Sequence, residues 1–119
     1  MLYPALQQQF IQFEKEFAAI EPHRKLILEE LAAYVMQKKQ ASLPVQLNFI
    51  CTHNSRRSHI SQIWAQAAAA YYGIENIHCY SGGTEATAFN PRAVKAMTEA
   101  GFNIARESEQ ENPHYVVSF

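Results

Sequence analysis

The segment Val45-Gln-Leu-Asn-Phe-Ile50 constrains this chain more than any other, because its alternating apolar residues stop at Cys51-Thr-His-Asn-Ser-Arg-Arg57-Ser58 and a helical pattern follows at once. Alternation that closes on an apolar pair predicts a largely buried strand. Ser58 can cap the next helix, which runs through Ile60, Ile63, Trp64, Ala67 and Ala68 to Gly73, a residue suited to the position past a helix end. Ile77-His-Cys-Tyr80 predicts a second short strand leading into Ser81-Gly-Gly83. Asn90 then caps a helix with Pro91 in its first turn, an apolar stripe of Ala93, Val94, Met97 and Ala100, and Gly101 as its stop. Arg106 to Pro113 predicts a polar loop and Tyr115-Val-Val-Ser-Phe119 a final strand. The order β-α-β-α-β implies an α/β fold: a parallel sheet with right-handed crossovers and helices on its faces.

Ahead of this unit, Leu6, Phe10, Phe13, Phe17 and Ile20 step by four and three, which predicts one helix of about four turns with a single apolar stripe. Glu21-Pro22 interrupts it. Leu26, Ile27, Leu31, Tyr34 and Val35 draw a second stripe, and Lys38-Lys39 sits favourably at its C-terminal end. The expected organisation is a helical hairpin over residues 1–43, its stripes serving core packing, and an α/β domain over residues 44–119, joined through Ala41-Ser-Leu-Pro44.

The length of 119 residues suits one compact domain with an appendage, and 48% hydrophobic and 18% charged residues suit a globular chain. A net charge of -1 argues against a nucleic-acid surface. No apolar run approaches a membrane span, and Met1-Leu-Tyr-Pro-Ala lacks a signal-peptide pattern, so the expectation is a cytoplasmic protein without nucleic-acid or membrane partners. The two cysteines lack metal-type spacing, as do His59, His78 and His114, so neither a disulfide framework nor a metal or other cofactor is expected. His23 lies in the helical appendage.

The chemistry starts where the strand stops. Ligands of open parallel sheets bind beyond the carboxyl ends of the strands, and Cys51 lies at such an end. The helix after the loop turns its unpaired N–H groups and positive dipole end toward whatever the loop encircles, and consecutive loop N–H groups form an anion nest. Arg57 adds a planar, permanently charged fork that can hold two oxygens of a tetrahedral oxyanion. The same field favours the Cys51 thiolate, the reactive form. In-line attack on phosphorus gives a phosphocysteine, with Arg57 and the loop amides of Thr52, His53, Asn54, Ser55 and Arg56 stabilising the equatorial oxygens and Ser58 donating to the departing sulfur. The loop lacks the Gly-rich pattern ending in Gly-Lys-Ser/Thr, which disfavours nucleoside triphosphates.

Ile50-Cys-Thr-His-Asn-Ser-Arg-Arg57-Ser58 resembles the active-site loop of the low-molecular-weight protein-tyrosine phosphatases and of the thioredoxin-coupled arsenate reductases that share their fold. The resemblance continues through Tyr80-Ser-Gly-Gly-Thr84 and Asn90-Pro-Arg-Ala-Val-Lys-Ala-Met-Thr-Glu-Ala-Gly101, covering roughly residues 45–119. It implies a three-layer α/β sandwich, Cys51 as nucleophile, Arg57 as oxyanion clamp, Asn54 as loop brace and Ser58 as hydrogen-bond donor to the thiolate. It also implies a phosphate-type oxyanion or phosphoprotein as substrate.

The chain departs from the family pattern at named positions. His53 stands where the family usually has glycine, which alters the mouth of the site. Arg56 stands where a second cysteine is usual, so Cys51 lacks an adjacent thiol to trap its sulfenic acid. The family's general acid is an aspartate on a loop beyond the next strand, whereas the carboxylates after the loop here are Glu75, Glu85, Glu99, Glu107, Glu109 and Glu111. Of these Glu85 can approach the site through its Gly-rich loop, although a solvated loop glutamate is the plainer expectation. The end at Phe119, inside an apolar strand, leads to the expectation of a sheet with an open edge, either truncated or completed by a partner copy or a swapped segment.

Three functions follow as expectations. The first is hydrolysis of phosphomonoesters, phosphotyrosine protein being the family's usual substrate. The second is arsenate reduction, which needs further thiols, and here the second cysteine is Cys79 on a strand expected to bury it. The third is a non-catalytic oxyanion-binding or interaction module, favoured by the missing aspartate.

Overall fold

The computed structural model describes residues 2–53, 56–85, 88–107 and 115–119. Among the described residues, four α-helices and four strands run in the order α1 (Pro4–Lys15), α2 (Pro22–Gln40), β1 (Val45–Cys51), α3 (Arg57–Tyr71), β2 (Ile77–Gly83), α4 (Pro91–Ala100), β3 (Asn103–Arg106) and β4 (Tyr115–Ser118). β1 and β2 pair in parallel, with Val45 opposite Ile77 and Cys51 opposite Gly83. This register brings the two strands to an end at the same level, so the chain segments that follow them leave side by side.

The predicted α/β alternation is present, but its last member is not in the parallel sheet. β4 pairs antiparallel with β3, Arg106 opposite Tyr115 and Asn103 opposite Ser118. Asn103-Ile-Ala-Arg106 is too short to announce itself by alternation, and its Arg106 was expected to open a loop. Glu107 follows outside any strand, and residues 108–113 of that expected loop lie outside the described residues.

Burial of β1 is one-sided. Val45, Leu47 and Phe49 face the helices, whereas Ile50 is 67% exposed, correcting the expectation of a largely buried strand. Gln46, Asn48 and Ile50 share their face with His78 and Tyr80 of β2, all on the outer side. The free edge of β2 is closed from α3 instead. Gln66 Nε2 donates to the Ile77 carbonyl at 2.9 Å, the Cys79 N–H donates to Gln66 Oε1 at 3.0 Å, and Gln62 Nε2 donates to the Cys79 carbonyl at 2.9 Å. Two glutamines one helical turn apart thus replace a neighbouring strand.

The core lies between α1, α3 and α4 and is built from Leu2, Leu6, Phe10, Ile63, Ala67, Phe89, Ala93, Met97 and Phe102. Leu6 is fully buried, a contribution of about 1.5–3 kcal/mol. Phe10 stacks on Tyr71 with centroids 4.7 Å apart and meets Trp64 edge-on at 5.5 Å, while Trp64 meets Phe102 edge-on at 4.9 Å. Asn90 caps α4 by accepting from the Arg92 N–H at 2.9 Å, as expected, with Pro91 at the first helical position. Gly101 ends it at φ +123°, and a Cβ there would stand 3.1 Å from the Ala5 Cβ. That glycine therefore serves both the turn and the close approach of α1.

The two N-terminal helices differ from expectation in separate ways. The first stripe is not one continuous helix: α1 ends at Lys15, and a short 3₁₀ turn over Phe17–Ala19 leads to Glu21, which accepts from the His23 and Arg24 N–H groups and caps α2. α2 buries none of its residues, and Leu26 is 61% exposed. Its stripe is not core packing within this chain. Among the described residues no helix is long and apolar enough to cross a membrane.

Candidate active site

Cys51 is the last residue of β1 and Arg57 the first of α3, so the connecting loop closes at the carboxyl edge of the sheet against a helix N-terminus. Cys51 is half-buried, and its Sγ lies 3.1 Å from Ser58 Oγ. Ser58 is 2% exposed. The helix begins one residue before the expected cap, with Arg56 at the N-cap and no side-chain cap bond, which corrects the capping role expected for Ser58 but not its expected place beside the sulfur. Its hydroxyl turns inward to the sulfur rather than along its own backbone. When the sulfur is a thiolate, the Ser58 O–H donates to it, and a charge-assisted bond of this kind is about twice as strong as a neutral one.

Thr52, His53, Arg56 and Arg57 are exposed around the rim. Asn54 and Ser55 lie outside the described residues. Arg56 and Arg57 both stand at the start of α3, where their charges add to the positive end of the helix dipole.

The segment after β2 is clipped to this loop. The Thr52 carbonyl accepts from the Thr84 N–H at 2.9 Å, from the Glu85 N–H at 3.1 Å and from the Thr84 hydroxyl at 3.1 Å. Glu85 Oε2 then lies 2.9 Å from His53 Nδ1, both side chains being 59% exposed. Glu85 is solvated, as expected, yet it also approaches the loop. The parallel register opposite Gly83 is the physical reason: it sets residues 84–85 beside residues 52–53.

The sequence signals did not identify Thr84 or the role of His59. His59 is half-buried, its ring stacked on Phe89 with centroids 4.4 Å apart and its Nδ1 3.4 Å from Ser81 Oγ. Thr84 closes the quoted Tyr80–Thr84 segment, and its place directly after two glycines was the available signal. His78 is exposed and its Nε2 lies 3.1 Å from Asn76 Oδ1. His114 lies outside the described residues. Cys79 faces the core in the middle of β2, 7% exposed, and burial pushes its thiol pKa up.

Residues 46–116 match the model of the low molecular weight phosphotyrosine protein phosphatases. The chain belongs to that family. Its curated relatives include an arsenate reductase of Bacillus licheniformis, 45% identical over 60 residues, and one of Bacillus subtilis at the same identity and length. An arsenate reductase of Staphylococcus aureus is 40% identical over 60 residues. These alignments take in 50% of this chain and 40–43% of each relative, so the matched part is less than half of theirs. No solved structure gives a significant match. Membership in the family carries the fold expected for the parallel β1–β2 unit and its flanking helices.

Proposed function

We propose that this chain is a cysteine-dependent phosphomonoesterase that works through a phosphocysteine. The observation that carries the reading is the Cys51 Sγ to Ser58 Oγ approach of 3.1 Å at the junction of a strand end and a helix start. In this reaction the Cys51 thiolate attacks phosphorus in line with the ester oxygen. The loop N–H groups and Arg57 hold the equatorial oxygens, and Ser58 stabilises the thiolate before attack and again when the P–S bond breaks. Thr52, His53, Asn54, Ser55 and Arg56 supply the remaining loop backbone. The substrate class is a phosphate monoester presented to an open mouth, with phosphotyrosine protein as the family's namesake.

Arsenate reduction is the second reading, favoured by the names of the curated relatives. Against it stands Arg56, where the family usually has a cysteine beside the nucleophile; within the given residues the second thiol, Cys79, is buried. The test is hydrolysis of p-nitrophenyl phosphate by the wild type and by Cys51→Ser, beside arsenate-dependent oxidation of reduced thioredoxin. Phosphate release that Cys51→Ser abolishes supports the first reading; thioredoxin oxidation without phosphate release supports the second. Absence of both, with phosphate still bound, turns the assignment to a binding module.

A further inference from the structure

We infer that two copies of this chain associate through α2, the α2 of each lying in an aromatic groove of the other; this is independent of the chemistry at Cys51. Leu26, Ile27, Leu28, Leu31 and Met36 of α2 are 41–62% exposed. At ~3.6 residues per turn these positions go most of the way round the helix instead of lining one side. A helix that is apolar all round belongs under cover of protein. A lipid surface suits it poorly, because helices that lie in a membrane interface keep a strongly polar side toward water. Its own chain holds α2 near one end only. Tyr34, Val35 and Lys38 are its half-buried residues, and Lys39 Nζ donates to the Glu75 carbonyl at 2.7 Å. This anchor fixes the helix beside β1 and leaves Leu26, Ile27 and Leu28 in water.

The matching surface is on the same molecule. Phe10, Phe13, Phe17, Trp64, Ala68 and Tyr72, from α1, the 3₁₀ turn and one side of α3, line an apolar groove of about 370 Å³. Phe13, Phe17 and Tyr72 are 36–48% exposed. Phe17 belongs to the turn that leads directly into α2, so groove and helix adjoin. A two-fold axis beside such a surface lays each helix on the other copy's groove, a self-complementary contact. Charge agrees with this pairing. α2 carries Arg24, Lys25, Lys38 and Lys39 against Glu29 and Glu30, whereas the end of α1 beside the groove carries Glu14 and Glu16 against Lys15. The area also suffices: the exposed helix and groove residues form a patch at or above the ~300–600 Å² of an ordinary monomer's largest, and covering it on both copies removes on the order of 1,000 Å², where specific interfaces begin. Trp64 lies about two turns along α3 from Arg57, so the contact does not draw on the Cys51 loop.

Sedimentation velocity of the full chain over a concentration series tests this, with the emission of Trp64, the chain's one tryptophan, read on the same samples. The expected result is a dimer that dissociates on dilution, Trp64 emission moving to longer wavelength as the groove opens to water. Leu31→Glu on the helix and Phe17→Asp in the groove, both at exposed positions, are each expected to raise the dissociation constant ~30-fold or more while far-UV circular dichroism keeps the wild-type helix content. An equal mixture of the two variants should recover part of the association, because the intact helix of Phe17→Asp fits the intact groove of Leu31→Glu. A wild type that stays monomeric at every concentration, with α2 covered by its own chain or bound to phospholipid vesicles instead, overturns the inference. A dimer indifferent to either substitution, or a mixture that recovers nothing, overturns it equally.

Discussion

Cys51 and Cys79 sit on neighbouring parallel strands, yet their surroundings are opposite. Cys51 ends β1, half-exposed, with the Ser58 hydroxyl on its sulfur and a helix N-terminus ahead of it. Cys79 lies mid-strand in β2, buried, with its backbone N–H and carbonyl both tied to glutamines of α3 and its thiol pKa raised by desolvation. The difference is positional: the carboxyl edge of a parallel sheet offers unpaired N–H groups and open space, while the middle of a strand offers neither. The two thiols thus differ in burial and partners through strand position rather than residue type.

That contrast can be broken in several ways, beginning with turnover. Cys51→Ser is expected to lower aryl phosphate hydrolysis by ~10³-fold or more, whereas Cys79→Ala keeps it within a few-fold after correction for folded fraction; comparable losses would end the distinction. Next comes the Ser58 hydrogen bond to a thiolate. Ser58→Ala is expected to cost about 1.5–3 kcal/mol of thiolate stabilisation, an order of magnitude or more in phosphate release, and a shift of Cys51 alkylation to higher pH. Iodoacetamide at neutral pH should label Cys51 and spare Cys79 until the chain is unfolded, read by peptide mass; early labelling of Cys79 would show that its burial is incomplete. Peroxide should leave a portion of Cys51 as sulfinic acid that dithiothreitol does not recover, since Arg56 occupies the neighbouring position; full recovery of thiol titre would contradict this.

The smallest effect concerns stability against pH. Burial holds the folded-state pKa of Cys79 above its unfolded value, so its contribution is complete below the unfolded value and is lost as pH rises through the folded one. Urea midpoints should therefore fall on the alkaline side. Cys79→Ala should flatten that fall at pH values below the tyrosine range, where Tyr71, raised first by its hydrogen bond to Glu14, and Tyr72, raised by burial, have not begun to titrate.

Much of the architecture was legible wherever a local rule has a local cause. Asn90-Pro91 marks the start of α4 and Gly101 its end because capping and positive φ are properties of a few adjacent residues. The stripes of the N-terminal helices were legible as stripes, but not by what they meet. Leu6 and Phe10 are covered by α3 and α4, while Leu26 and Ile27, equally periodic, remain exposed. A pattern of apolar residues states that a face exists; coverage depends on where distant segments pack. The break at Glu16 likewise gave no clear local signal.

At the site, the sequence by itself singled out Cys51, Arg57 and Ser58 as candidates for a nucleophile-type set, on the ground that a thiol, a guanidinium and a hydroxyl stand between a strand and a helix. Tertiary structure decided what each touches. It removed Ser58 from the cap of α3 while setting its hydroxyl 3.1 Å from the Cys51 sulfur, as expected, and it moved the last strand out of the parallel sheet to pair with β3. It also brought Glu85 to His53 across more than thirty positions of chain. The physical reason is common to all three: a hydrogen bond or ion pair between distant segments depends on strand register and helix phase, and these are set by the packing of the whole core.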